Sequence, residues 1–285
     1  MSTSPATATD RYASQFRPGL FAGQTIIVTG GGSGIGLHTA EELASLGANL
    51  AIVGRKPEKL EVAKARLAPY GTRVSCHACD IRDETRVAEV VAAAVAELGP
   101  IDGLVNNAGG QFFSRAEDIS ANGFDAVVRN NLLGGFLFAR EVYRQSMKSR
   151  GGGAIVNMLA DMWGGMPGMA HSGAARAGML NLTETLAYEW APVRVNAVAP
   201  GWIASSGMDT YPEAHRPMLD SFPRLSPAGR IGTEAEVAAA IVFLLSPAAA
   251  FISGSVLRID GAVPNRREHW KVDVQGQTTP FTGRA

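Results

Sequence analysis

The strongest constraint on the fold is an alternation that begins at residues 24–29, an apolar, β-branched run that leads straight into a turn with five glycines among residues 30–36. Apolar residues at helical spacing follow over 37–46 and stop at Gly47, a residue suited to ending a helix. The same rhythm recurs along the chain. It predicts strands at 49–53, 73–79, 103–106, 154–158, 194–198 and 256–259, and helices over 57–67, 84–98, 121–148, 172–190 and 234–245. Repeated strand–helix–strand units imply an α/β fold: one doubly wound parallel seven-stranded sheet with helices on both faces.

A chain of 285 residues suits a single domain of this kind, and no composition shift or internal repeat divides it. The folded domain is expected over 20–262, after a flexible extension at 1–19 and before a polar tail at 263–285 with Trp270 and Phe281 as its large anchors. The 26 basic and 26 acidic residues cancel without a long run of one sign, which argues against nucleic acid or an anionic membrane as partner. Apolar runs are short, far from the roughly 18 residues that a membrane span needs. The first ten residues lack the basic and apolar segments of a secretion signal, so a cytoplasmic location is expected. Cys76 and Cys79 form a single C-x-x-C on an alternating strand; with no second pair they are read as structural, and no metal is expected.

The turn Gly30-Gly31-Gly32-Ser33-Gly34-Ile35-Gly36 lies between a strand and a helix, where backbone N–H groups and a helix N-terminus can meet a pyrophosphate. Glycine is needed there because a Cβ would block the ligand. After the second strand, where a carboxylate would bind the ribose hydroxyls of NAD, the chain reads Gly54-Arg55-Lys56. Arg55 suits a 2′-phosphate, so NADP(H) is the expected cofactor, and Lys56 either assists or is a solvated helix-start residue. Residues 202–230 break the rhythm with Pro212, Pro217 and Pro223, and read either as a lid over an apolar substrate or as a packed connecting loop.

With Asp80 after the third strand, Asn106-Asn107-Ala108-Gly109 after the fourth, Asn131-Leu132 in the next helix and Pro200-Gly201-Trp202-Ile203 after the sixth, the chain resembles the short-chain dehydrogenase/reductase family over about residues 20–262. The resemblance implies a Rossmann-type fold and a homotetramer. It also implies that Asp80 and Ile81 flank the adenine, that Asn107, Ala108 and Gly109 pass beside the adenosine ribose, and that Ile203 meets the nicotinamide carboxamide after the Pro200-Gly201 turn.

The family's catalytic tyrosine and lysine are replaced. Aligned on the segment that begins at Ala177, the chain has Ser172 at the tyrosine position, Arg176 at the lysine position and Leu159 where a serine is usual. Residues 171–178, with Gly109-Gly110-Gln111-Phe112 and residues 244–249, look most like the peroxisomal trans-2-enoyl-CoA reductases and the 2,4-dienoyl-CoA reductases. The chain nevertheless ends Gly283-Arg284-Ala285 rather than in a peroxisomal address.

A serine hydroxyl is too weak an acid to protonate a ketone product near neutral pH, but it can donate a hydrogen bond to a thioester carbonyl. Ser172 and Arg176, four apart, share one helix face. This favours reduction of the C2=C3 bond of a 2-enoyl thioester, an acyl-CoA of the kind met in fatty acid metabolism. The α-proton is expected from water held by Asn131 or from Asp161, eleven residues before Ser172 and otherwise a solvated loop carboxylate. Ser172 also suits a helix N-cap. His171 is read as a packing or outward residue rather than a relay, Tyr188 as a packing residue of the core or of a subunit contact, and Tyr211 as a lid residue able to swing inward. The competing expectations are a dehydrogenase of hydrophobic alcohols or 3-oxo thioesters with a rearranged proton donor, and a non-catalytic NADP(H)-binding protein.

Overall fold

Strand β1 (Thr25–Thr29) is buried at all five positions, as a central strand must be when helices cover both faces of its sheet. The computed structural model describes residues 11–205, 207–208, 211–266, 269 and 276–284. Strand β2 (Asn49–Gly54) pairs on one side of β1 and β4 (Gly103–Asn106) on the other, so that Val28 stands opposite both Ile52 and Val105. With β3 (Val74–Ala78), β5 (Ala154–Met158), β6 (Arg194–Pro200) and β9 (Val256–Ile259), the order is β3-β2-β1-β4-β5-β6-β9. Every pairing in it is parallel. The doubly wound seven-stranded sheet expected from the sequence is therefore the observed one.

Helices α1 (Gly34–Ser45), α2 (Pro57–Leu67) and α9 (Glu234–Leu245) cover one face, around Leu43, Leu50, Ile52, Val156 and Val242. Helices α3 (Glu84–Leu98), α5 (Gly134–Val142) and the later turns of α7 (Ala170–Glu189) cover the other, around Ile27, Val53, Phe138, Ile155 and Leu186. The single helix predicted over 121–148 is instead a composite. Helix α4 (Ala121–Val128) passes through a π-helical turn (Arg129–Leu133) into α5, and a second such turn (Tyr143–Met147) leads to α6 (Lys148–Arg150).

The segment 202–230 is more ordered than its prolines suggest. It holds β7 (Ile203–Ala204), paired with β8 (Gly232–Thr233), and a helix α8 (Arg216–Leu225) that the sequence reading missed. Pro217 sits in the first turn of α8, where a missing N–H costs no helical bond, and Leu219 and Phe222 one turn apart are buried.

Residues 1–10 and Trp270 lie outside the described residues. Residues 11–19, expected to belong to a flexible extension, carry Tyr12, which is buried and bridges to Arg284. In the tail, the Phe281 N–H donates to Glu236 at 3.3 Å, and its ring meets Tyr12 edge-on at 6.2 Å. Residues 12–14 and 281–284 thus come together beside α1. Among the described residues, no helix is long and apolar enough to cross a membrane, and no His, Cys, Asp and Glu group could hold a metal.

Candidate active site

β1 and β4 are neighbours at the place where the winding of the sheet reverses, and the crevice beyond their carboxyl ends is where an open α/β sheet takes a ligand. The glycine turn leaves β1 there. Gly30 has a φ of +68°, and a Cβ added to it would stand 2.7 Å from Asn107 Nδ2, while one on Gly36 would strike the Gly30 carbonyl oxygen. Only glycine at these points lets the turn close on itself and on the loop after β4. Ser33 precedes α1 without a side-chain cap, and the first turn carries no acid, so these N–H groups stay available to an anion. Thr29 Oγ1 accepts the N–H groups of Asn107 and Ala108, both at 3.0 Å, and Asn107 Nδ2 donates to the Thr29 carbonyl at 3.0 Å. These bonds lock the ends of β1 and β4 together.

Arg55 and Lys56 leave the end of β2, both exposed, and Arg55 has no hydrogen bond or ion pair among the described residues. Asp80 follows β3 and is clamped by Arg82, with Nη2 to Oδ2 at 2.5 Å and Nε to Oδ1 at 2.9 Å. This holds the Asp80 carboxyl down at about 2. Ile81 is buried against Gly134. Arg55, Arg82, Gly110, Gln111, Phe112 and Asn130 line one hollow, which α4 closes with Ala126 and Val127. Gly201 leaves β6 after Pro200, close to Asp260, and Ile203 is buried with its side chain toward Gly232.

Arg176 projects from the second turn of α7 into the same region. It is 7% exposed, and its Nη1 donates to the Met158 carbonyl at 2.5 Å. A Cβ on Gly109 would stand 2.6 Å from Asn131 Oδ1 and 2.9 Å from Arg176 Nη2, so the β4 loop, the π-helical turn and α7 converge here. Burial pushes the Arg176 pKa down to about 10, which leaves the guanidinium charged at neutral pH. Its Nε is buried without a partner. An orphaned cationic donor beside a glycine that no Cβ could replace fits the hydroxyl-rich end of a nicotinamide nucleotide, just as the uncapped α1 fits the pyrophosphate.

Asn131 binds the loop after β4. Its Oδ1 accepts from the Gly110 N–H at 2.9 Å and its Nδ2 donates to the Gly110 carbonyl at 3.0 Å, so its amide holds protein backbone and keeps a second N–H and a second lone pair. Ser172 is not an N-cap. Met169 occupies that position, and Ser172 lies within the first turn of α7, fully buried. Its Oγ donates to Gln111 Oε1 at 2.7 Å. Gln111 Nε2 in turn donates to the Tyr211 hydroxyl at 3.5 Å. Gln111 was missed as a site residue. Its position in a loop at a strand's carboxyl end was the available signal.

Asp161 ends the β5 segment, tied to β6 through its N–H on the Pro200 carbonyl at 3.1 Å, and its carboxyl makes no hydrogen bond among the described residues. Burial, then the charge of Asp260, raises its pKa, against the pull of Arg258. His171 is buried, packs edge-on against Phe112 at 4.4 Å and accepts the Ser172 N–H at 2.8 Å. Tyr188 is 89% exposed, which rules out core packing, the first of the two roles expected of it, and bears nothing against a subunit contact.

A glycine cradle at the switch point, with a buried hydroxyl and guanidinium beside it, is the equipment of a nucleotide-dependent oxidoreductase. Residues 30–263 match the family described as Enoyl-(Acyl carrier protein) reductase, and the chain belongs to this short-chain dehydrogenase/reductase family. A probable 2,4-dienoyl-CoA reductase (2E-enoyl-CoA-producing) of Bacillus subtilis (strain 168) is 37% identical over 243 residues, 84% of this chain and 95% of its own. A peroxisomal 2,4-dienoyl-CoA reductase (3E-enoyl-CoA-producing) of Rattus norvegicus is 38% identical over 256 residues, 88% of this chain and 87% of its own. Among solved structures, a citronellol catabolism dehydrogenase of Pseudomonas aeruginosa PAO1 is 61% identical, with a TM-score of 0.78 over 88% of this chain and 99% of that one.

Proposed function

We propose that this protein is an NADPH-dependent reductase of the C2=C3 bond of 2-enoyl thioesters, acyl-CoA above all, with 2,4-dienoyl thioesters as close substrates. The observation that carries the proposal is the pairing of a buried hydroxyl, Ser172, with a buried and charged guanidinium, Arg176, on one face of α7. Both serve a delocalised anion better than they serve as acids. The glycine turn and the first turn of α1 hold the pyrophosphate, Arg55 pairs with the 2′-phosphate, and Arg176 holds the ribose nearest the reacting ring. Bound there, the reduced nicotinamide supplies the hydride.

Addition of a hydride at C3 of an enoyl thioester, or at C5 of a dienoyl thioester, moves negative charge through the conjugated system onto the carbonyl oxygen. Ser172 donates a hydrogen bond to that oxygen. Arg176, itself buried, adds positive potential where a charge acts more strongly than in solution. The anion then takes a proton on carbon. Asp161, whose carboxyl is half-buried and makes no hydrogen bond among the described residues, or a water on the second N–H of the Asn131 amide supplies it. Dienoyl-CoA reductases among the relatives support the reaction class.

A second reading is favoured by the 61% identical solved structure, a citronellol catabolism dehydrogenase. It makes the protein a dehydrogenase of a branched hydrophobic alcohol with a proton acceptor other than Ser172. NADPH consumption with crotonyl- to decenoyl-CoA and a 2,4-dienoyl-CoA, set against NADP+ reduction with citronellol and other aliphatic alcohols, separates the two. Turnover of the thioesters supports the first reading. Turnover of alcohols alone replaces it with the second.

A further inference from the structure

Ser172 has one proton to give, and in the structure Gln111 takes it. The Ser172 Oγ donates to Gln111 Oε1 at 2.7 Å, and Nε2 of the same amide donates to the Tyr211 hydroxyl at 3.5 Å. A serine hydroxyl is a single donor with two lone pairs. While its proton is aimed at Gln111, it offers a substrate oxygen only lone pairs, which repel a developing negative charge.

A carboxamide carries its acceptor and its donor on atoms of nearly the same size and place, and a half-turn of the amide exchanges them. After that half-turn, Gln111 Nε2 donates to Ser172 Oγ and Gln111 Oε1 accepts from the Tyr211 hydroxyl. Both contacts survive because both hydroxyls can donate as well as accept. The Ser172 proton is then free for the substrate.

We propose that Gln111 is a positioning residue whose amide orientation decides whether the Ser172 hydroxyl donates to the substrate oxygen, with Tyr211 holding the far side of that amide. The surroundings are built to keep the three groups in line. Gly110, beside Gln111, is fixed by both amide atoms of Asn131, and Phe112 on the other side meets His171 edge-on at 4.4 Å. Phe113 packs on Tyr211 at 4.9 Å and stacks on His215 at 4.9 Å. The inference rests on the proposed role of Ser172 toward a substrate oxygen.

Two substitutions of similar size test it. Gln111→Glu offers only acceptors when ionised and traps the Ser172 proton, whereas Gln111→Leu leaves that proton free but unguided. With the enoyl-CoA substrate, kcat is expected to fall about 100-fold in Gln111→Glu, the cost of losing one oxyanion donor, and distinctly less in Gln111→Leu. NADPH affinity should be unchanged in both. In a Ser172→Ala background the two variants should converge. A residue that only fills space would show the reverse order, with the isosteric Glu above Leu; that order, or a difference that survives Ser172→Ala, overturns the assignment.

A readout without turnover is the near-ultraviolet enolate band of acetoacetyl-CoA bound together with NADP+, which grows when donors hold the enolate oxygen. It should be weaker in Gln111→Glu than in Gln111→Leu, and equal bands overturn the proposal. The thioester reading fails separately, by wild-type turnover of alcohols alone. The same pair compared on the alcohol then supports Gln111 if Leu exceeds Glu, and overturns it if the order is reversed.

Discussion

At the scale of single residues, Arg55 and Arg82 show how the same guanidinium can be free or spent. Arg82 is bound in a fork by Asp80, while Arg55, on the next strand's end, is exposed and without a hydrogen bond among the described residues. A 2′-phosphate placed there meets an unpaired cation at Arg55 and a neutralised one at Arg82. Arg55→Ala is therefore expected to raise the Kd for NADPH about tenfold or more, the worth of a charge-assisted hydrogen bond, and to leave NADH nearly unchanged. Titration of the protein with both nucleotides checks this, and equal losses would remove the 2′-phosphate contact. The positions of Arg55, Ser172 and Arg176 were legible in the sequence: the first follows a strand end, and the family resemblance singles out the other two, which helical spacing sets one turn apart. Gln111 was not legible, because its meaning comes from a hydroxyl 61 residues away in the chain.

At the scale of elements, the strands of the large sheet were readable almost to the residue, since buried parallel strands are short apolar runs with sharp glycine or polar ends. The composite helix over 121–150 was not. Its apolar spacing suits a helix throughout, and nothing local marks the two π-helical turns. The first of these is where Asn131 sits, and π-helical turns often fall at functional sites. Here the turn delivers an amide whose two atoms both bind Gly110, joining the helix to the loop that carries Gln111. Asn131→Ala would leave the N–H and carbonyl of Gly110 without these partners. The expected cost is about 1–3 kcal/mol in unfolding free energy, together with a fall in kcat larger than any change in nucleotide affinity. Denaturant unfolding, read beside steady-state kinetics, checks it. Unchanged kcat in a folded Asn131→Ala protein would separate this turn from the chemistry.

At the scale of the whole molecule, the segments around Tyr12 and Arg284 meet beside one buried carboxylate. Glu42, on α1, accepts from the Tyr12 hydroxyl at 3.2 Å and the Ser14 hydroxyl at 3.0 Å, while Arg66 and Arg284 pair with its neighbour Glu41 at 2.6 and 3.2 Å. Burial pushes the Glu42 pKa from 4.5 up to about 7, more than the two hydroxyl donors pull it back. The folded protein therefore holds a proton on Glu42 that the unfolded chain releases near pH 4.5. Its contribution to stability is full below that value and is lost as pH rises through about 7. A shift of this size corresponds to a few kcal/mol at most, on the order of 3. Glu42→Gln, neutral at every pH, removes the dependence. Between pH 5 and pH 8, the wild-type Tm is expected to decline relative to that of Glu42→Gln by roughly 2–4 °C per kcal/mol for a domain of this size. Parallel declines in the two proteins would mean that Glu42 is ionised in the folded state and that the clasp between these two segments draws nothing from its proton.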